Sequence, residues 1–91
     1  MSTKEKVREK VSGKESVHLN NEIVVYNDDV NTFDHVIETL IRVCEHTPEQ
    51  AEQCSLIVHY NGKCIVKTGD YDKLKLQCTR LLEAGINAEI L

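Results

Sequence analysis

Residues 22–44 read EIVVYNDDVNTFDHVIETLIRVC, and the change of apolar period within this run decides the fold. Ile23, Val24, Val25 and Tyr26 are β-branched or aromatic, which suits a strand. Asn27, Asp28 and Asp29 are turn formers. Beyond them the period lengthens. Phe33, Val36, Ile37, Leu40, Ile41 and Cys44 fall on one helical face. Asn31 or Thr32 can cap that helix, and Asp34 lies in its first turn, where the macrodipole favours an anion. A strand therefore feeds into a helix through three consecutive residues whose side chains carry acceptor oxygens.

Downstream, Thr47-Pro48-Glu49-Gln50 has the form of a helix start, with Thr as cap, Pro at the first helical position and Gln closing a capping box. Ala51 and Cys54 supply the inner face of this short second helix. Leu56, Val58 and Tyr60 alternate with Ile57 and His59, which predicts a strand. Asn61-Gly62 predicts a two-residue hairpin turn, with Cys64, Ile65 and Val66 in the returning strand. Thr68-Gly69-Asp70 breaks the chain again. Tyr71, Leu74, Cys78, Leu81 and Leu82 form a third helical stripe, stopped by Gly85. Ile86, Ala88 and Ile90 alternate with polar partners as a last short strand. The expected order is β-α-α-β-(β)-α-β. It predicts an α+β fold, a small two-layer sandwich of three helices on a three- to four-stranded, mainly antiparallel sheet. Residues 1–20 alternate charge signs with scattered apolar residues and are expected to be a flexible tail; residues 21–91 are the expected domain.

A chain of 91 residues accommodates one domain with a modest core. Residues 1–16 carry five Lys/Arg against three acids, whereas residues 17–91 carry six against twelve. An acidic body argues against nucleic-acid binding and suits the capture of something cationic. No apolar run approaches the roughly 20 residues that cross a bilayer, so no membrane association is expected. Residues 1–16 lack the apolar centre of a secretory signal; a cytoplasmic, reducing location is expected. Cys44, Cys54, Cys64 and Cys78 stand ten, ten and fourteen residues apart. That spacing contains no C-x-x-C pair and favours buried free thiols over zinc. There is no P-loop, dinucleotide-binding glycine set, nucleophile elbow or H-E-x-x-H. No catalytic residue, metal or cofactor is expected, and a monomer is.

Two places are chemically dense. At Asn27-Asp28-Asp29 the ordinary use is an Asx-type turn with helix capping. One cap needs one side chain, so a second carboxylate is left to accept from an ammonium. His59, on the strand face opposite Leu56, Val58 and Tyr60, is either structural or a neutral imidazole able to accept from a cation. His18 belongs to the tail, His35 is expected to face solvent, and His46 is expected at the end of the first helix, where a cation suits the dipole.

The stretch VVYNDDVNTFDHVIETL, followed some thirty residues on by VHYNGK, resembles the ClpS family, small adaptor proteins of AAA+ Clp proteases. The first block carries Asn27, Asp28 and Asp29; the second carries Val58, His59, Tyr60, Gly62 and Lys63. The resemblance spans residues 22–91. It implies a non-catalytic adaptor that binds proteins beginning with Leu, Phe, Tyr or Trp, the primary destabilising residues of the bacterial N-end rule. Such an adaptor delivers them to the N-domain of a ClpA-like or ClpC-like unfoldase, for degradation by ClpP. It also implies that Asn27, Asp28, Asp29 and His59 bind the substrate α-amino group. The pocket for the first side chain would be lined by Tyr26, Asn31, Phe33, Val36, Thr39, Ser55, Val58 and Ala88.

The chain departs from several relatives at that pocket. They carry Thr at the position of Asn31, Met at those of Phe33 and Ser55, and commonly Leu at that of Ala88. The stretch between Gly62 and Gly85, part of the unfoldase contact in the family, is a few residues shorter; Asp70, Asp72, Lys73 and Lys75 are its exposed candidates. The resemblance also implies that the tail corresponds to the family's N-terminal extension, which the unfoldase pore engages during delivery. The alternative is a regulatory module of the same fold that docks the unfoldase without reading N-terminal residues.

Overall fold

The computed structural model describes residues 20–91; the expected tail, with His18, lies outside the described residues apart from Asn20. Six elements follow one another: β1 (Asn21–Tyr26), α1 (Phe33–Cys44), α2 (Pro48–Asn61), β2 (Lys63–Gly69), α3 (Tyr71–Glu83) and β3 (Ala88–Ile90). The sheet order is β2-β1-β3, with both pairs antiparallel. Ile23, Val24 and Val25 are all buried, as befits a central strand flanked on both sides. The helices cover one face. Ile23 and Val25 meet Leu40 and Cys44 of α1, Ala51 and Val58 of α2, and Leu74 and Leu81 of α3 in a single core. Each buried Val, Leu or Ile of this core contributes about 1.5–3 kcal/mol.

The expected strand over residues 56–60 and its hairpin are corrected by the structure. α2 runs unbroken from Pro48 to Asn61. Thr47 Oγ1 accepts from Gln50 N at 3.1 Å, and Gln50 Oε1 accepts from Thr47 N at 3.0 Å, so the capping box forms as read. From there Ala51, Ser55 and Val58 are the buried positions, a helical spacing of four and three residues. Burying this face overrides the local strand preference of Ile57 and Val58. Gly62 is the left-handed cap of α2, at φ +92°, a conformation that favours glycine. The chain passes from it straight into β2.

β1 and β2 pair from Asn21 opposite Gly69 to Tyr26 opposite Lys63, with an irregularity between Ile23 and Val24, which face Lys67 and Ile65. Val66 is the extra residue of this bulge. Its carbonyl accepts from His46 Nε2 at 2.7 Å. His46 is thus a buried strut between the end of α1 and β2. Along α3, Leu74, Cys78 and Leu81 are buried as expected, but Tyr71 and Leu82 are half-exposed and Gln77 turns inward instead.

All four cysteines are free; Cys44 and Cys78 are buried, Cys54 and Cys64 only partly so. Burial pushes the Cys44 thiol up to about 11. Burial, with a hydrogen bond to Cys54, pushes Cys64 up to about 12. Among the described residues no group of three or more His, Cys, Asp or Glu is placed to hold a metal ion.

Candidate functional site

The turn after β1 is fastened on three sides. Asn27 N donates to Gly62 O at 2.9 Å, tying the turn to the end of α2. Asp28 Oδ1 accepts from Val30 N at 2.9 Å and from Asn31 N at 2.8 Å, and its Oδ2 accepts from Asn31 Nδ2 at 2.7 Å. Asn31 Nδ2 also donates to Gly85 O at 2.8 Å, which anchors the turn to the loop after α3. The Asn31 backbone N–H, more than its amide or the Val30 N–H, holds the Asp28 carboxyl below the usual carboxylate range. Thr32 caps α1, its Oγ1 accepting from His35 N at 3.1 Å; Asn31 braces the turn instead. Asp28 is committed to the turn, while the neighbouring Asp29 is exposed and makes no side-chain hydrogen bond among the described residues.

A cavity of about 320 Å³ opens beside this turn. Asn27, Asp28, Asp29 and His59 line it together with Asn31, Thr32, Phe33, Val36, Ser55 and Val58. The structure therefore brings the two sequence blocks to one place. His59 arrives on the last turn of α2 rather than on a strand. Its ring centroid lies 5.2 Å from that of Phe33 and 4.7 Å from that of Tyr60, the latter edge-on. Phe33, expected in the core face of α1, is 40% exposed and shares the cavity lining with His59.

Three expected pocket residues do not line this cavity. The Tyr26 hydroxyl donates to Glu89 Oε1 at 2.7 Å, and that bond raises its pKa. Thr39 is fully buried, with Oγ1 donating to His35 O at 2.7 Å. Ala88 is buried opposite Val25 in the sheet. His35 is not solvent-facing, since its Nε2 donates to Ala84 O at 2.8 Å. Thr32 is a lining residue the motif reading missed, although its place beside Phe33 could have signalled it. Asp70, Asp72, Lys73 and Lys75 are exposed together at the start of α3.

Chemically, one part of the cavity offers a carboxylate, an amide oxygen and an imidazole nitrogen, all able to accept from a cationic donor. The rest is walled by Phe33, Val36 and Val58. An apolar wall beside converging polar groups is a usual form of a ligand site.

The fold and this cavity define a small α+β binding domain. The chain belongs to the ClpS family, the ATP-dependent Clp protease adaptor proteins, whose family model matches residues 18–89; this is an adaptor family, not a catalytic one. The ATP-dependent Clp protease adapter protein ClpS of Thermosynechococcus vestitus is 37% identical over 68 residues, spanning 74% of this chain and 72% of that one. Its counterpart in Nostoc sp. is 37% identical over 68 residues, spanning 74% and 70%. Among solved structures, Agrobacterium tumefaciens ClpS2 bound to L-phenylalaninamide is similar with a TM-score of 0.69 at 17% identity, covering 80% of this chain and 98% of that one. At that identity the likeness speaks for the fold.

Proposed function

We propose that this adaptor captures proteins by a free N-terminal α-amino group followed by a bulky apolar side chain, that of Leu, Phe, Tyr or Trp. It then hands them to the N-domain of a ClpA-like or ClpC-like unfoldase, without catalysis of its own. The observation that carries this reading is the cavity that joins Asn27, Asp29 and His59 to an apolar wall. An α-ammonium has three N–H donors and is mostly protonated at neutral pH, with a pKa near 7.7–8.0. The Asp29 carboxylate, the Asn27 amide oxygen and a neutral His59 nitrogen would each accept one of them. Asp28 acts at one remove, by holding the turn. The ligand of the Agrobacterium relative, L-phenylalaninamide, has a free α-amine and a benzyl group, which matches this division of labour. Burying an apolar first side chain adds about 1.5–3 kcal/mol.

Asp70, Asp72, Lys73 and Lys75 are the proposed unfoldase contacts, as an exposed charged cluster at the start of α3. The reading assigns action to a monomer in the cytoplasm; no helix among the described residues is long and apolar enough to cross a membrane. The test is fluorescence anisotropy with peptides beginning Phe, Leu, Tyr, Trp, Ile or Val, each with a free and an acetylated N-terminus. Tight binding of the free bulky-residue peptides, lost on acetylation, is the expected result. Binding to none of them would reject amine capture and leave an unfoldase-docking module.

A further inference from the structure

The cavity wall holds one hydrogen-bonding side chain that neither amine capture nor the turn and helix cap uses. Ser55 lies on α2, one helical turn before His59, and is 2% exposed. Its Oγ is buried without a hydrogen-bond partner among the described residues, and the residue lines the same cavity as Asn27, Phe33, Val58 and His59. Buried hydroxyls are nearly always paired. A helical Ser or Thr ordinarily donates to the carbonyl four residues back. Thr39 does so to His35 O at 2.7 Å, and Thr79 to Lys75 O at 2.9 Å. Ser55 does not, so its hydrogen-bonding capacity remains available at the wall that a first side chain would touch. That hydroxyl is already closed off from water, and an apolar side chain filling the cavity leaves it unpaired.

We propose that Ser55 makes the pocket selective for N-terminal Tyr over N-terminal Phe; this rests on the amine-capture reading above. The two ligand side chains have the same ring and differ by one hydroxyl. A phenol both donates and accepts, as does a serine, so the pair forms whichever way the protons point. Sites that hydrogen-bond a ligand hydroxyl discriminate against the analogue lacking it, because the site's own polar group is then stranded.

The experiment is a two-by-two comparison. Peptides identical except for an initial Tyr or Phe are titrated against wild type and Ser55→Ala by fluorescence anisotropy, with circular dichroism melts of both proteins. Ala is a better helix former than Ser, so α2 is retained. Wild type should bind the Tyr peptide about tenfold more tightly than the Phe peptide, the equivalent of one hydrogen bond. Ser55→Ala should remove that preference by weakening Tyr binding while Phe binding holds or improves. Equal binding of Tyr and Phe peptides by wild type, or a Tyr preference that survives Ser55→Ala, overturns the role of Ser55 and leaves amine capture standing. Failure of every free-amine peptide to bind overturns both.

Discussion

Asp28 and Asp29 are adjacent in the chain, yet Asp28 is bonded into the turn while Asp29 is exposed, and replacing each in turn separates the duties proposed for them. Asp28 accepts three hydrogen bonds of 2.7–2.9 Å from Val30 and Asn31. A hydrogen bond to a charged group contributes about 1.5–3 kcal/mol. Two of the three share one partner residue, so they do not add, and Asp28→Ala should cost about 1.5–3 kcal/mol in all. In a domain of this size each kcal/mol moves Tm by about 4–8 °C. A fall of roughly 6–24 °C is expected, read by circular dichroism melts. Asp29→Ala should leave the melt unchanged and weaken a free-amine Phe peptide about tenfold or more, through loss of one charge-assisted bond. The pH dependence has a definite sign. The folded-state pKa of Asp28 is lowered, so its contribution is fully present above the unfolded value near 3.8 and is lost as pH falls through the folded value. The stability gap between wild type and Asp28→Asn should therefore be constant from pH 7 to about 5 and shrink below pH 4. Equal destabilisation by Asp28→Ala and Asp29→Ala would refute this division.

Further outcomes follow from other parts of the site and core. His59→Ala should weaken the free-amine Phe peptide about tenfold in anisotropy while the melt is retained. Gly62→Ala meets open space around the new methyl group, so only the left-handed backbone is penalised; urea unfolding should register a loss of about 1–2 kcal/mol. The Cys44 and Cys64 thiols, raised to about 11 and about 12, stay protonated at pH 8. Peptide mapping after brief iodoacetamide treatment should find both unmodified in the folded protein and all four cysteines modified in guanidinium.

Most of the fold was legible because its signals are local. The β-branched run at residues 23–26, the capping box at Thr47 and Gln50 and the glycine after α3 each act within a few residues. The misreading of residues 56–60 shows where local signals compete. Ile57 and Val58 have strand preferences and Asn61-Gly62 has hairpin chemistry, but the same Gly serves as a helix cap. Ala51, Ser55 and Val58, counted forward from the capping box, already kept helical time; that continuity was the better guide. The cavity lining was legible in part. Residues in the two sequence blocks converge on it, while Tyr26, Thr39 and Ala88 are occupied elsewhere. Nothing in the sequence separates Asp28 from Asp29, since that difference depends on which carboxylate meets the Asn31 N–H. Nor could His35 be placed, because its partner, Ala84, is 49 residues away.

The bond from Asn27 N to Gly62 O joins the strand that carries one half of the site to the helix that carries the other. It is made between main-chain atoms alone. The gap between the turn residues and the helix behind them is therefore held in part by main-chain atoms, whatever stands at Phe33 or Ser55, much as a vice keeps its opening when its jaw plates are changed. Phe33 and Ser55 are such plates. On the proposed function, a lineage, or an engineer, can exchange them to admit a different first residue without re-cutting the frame.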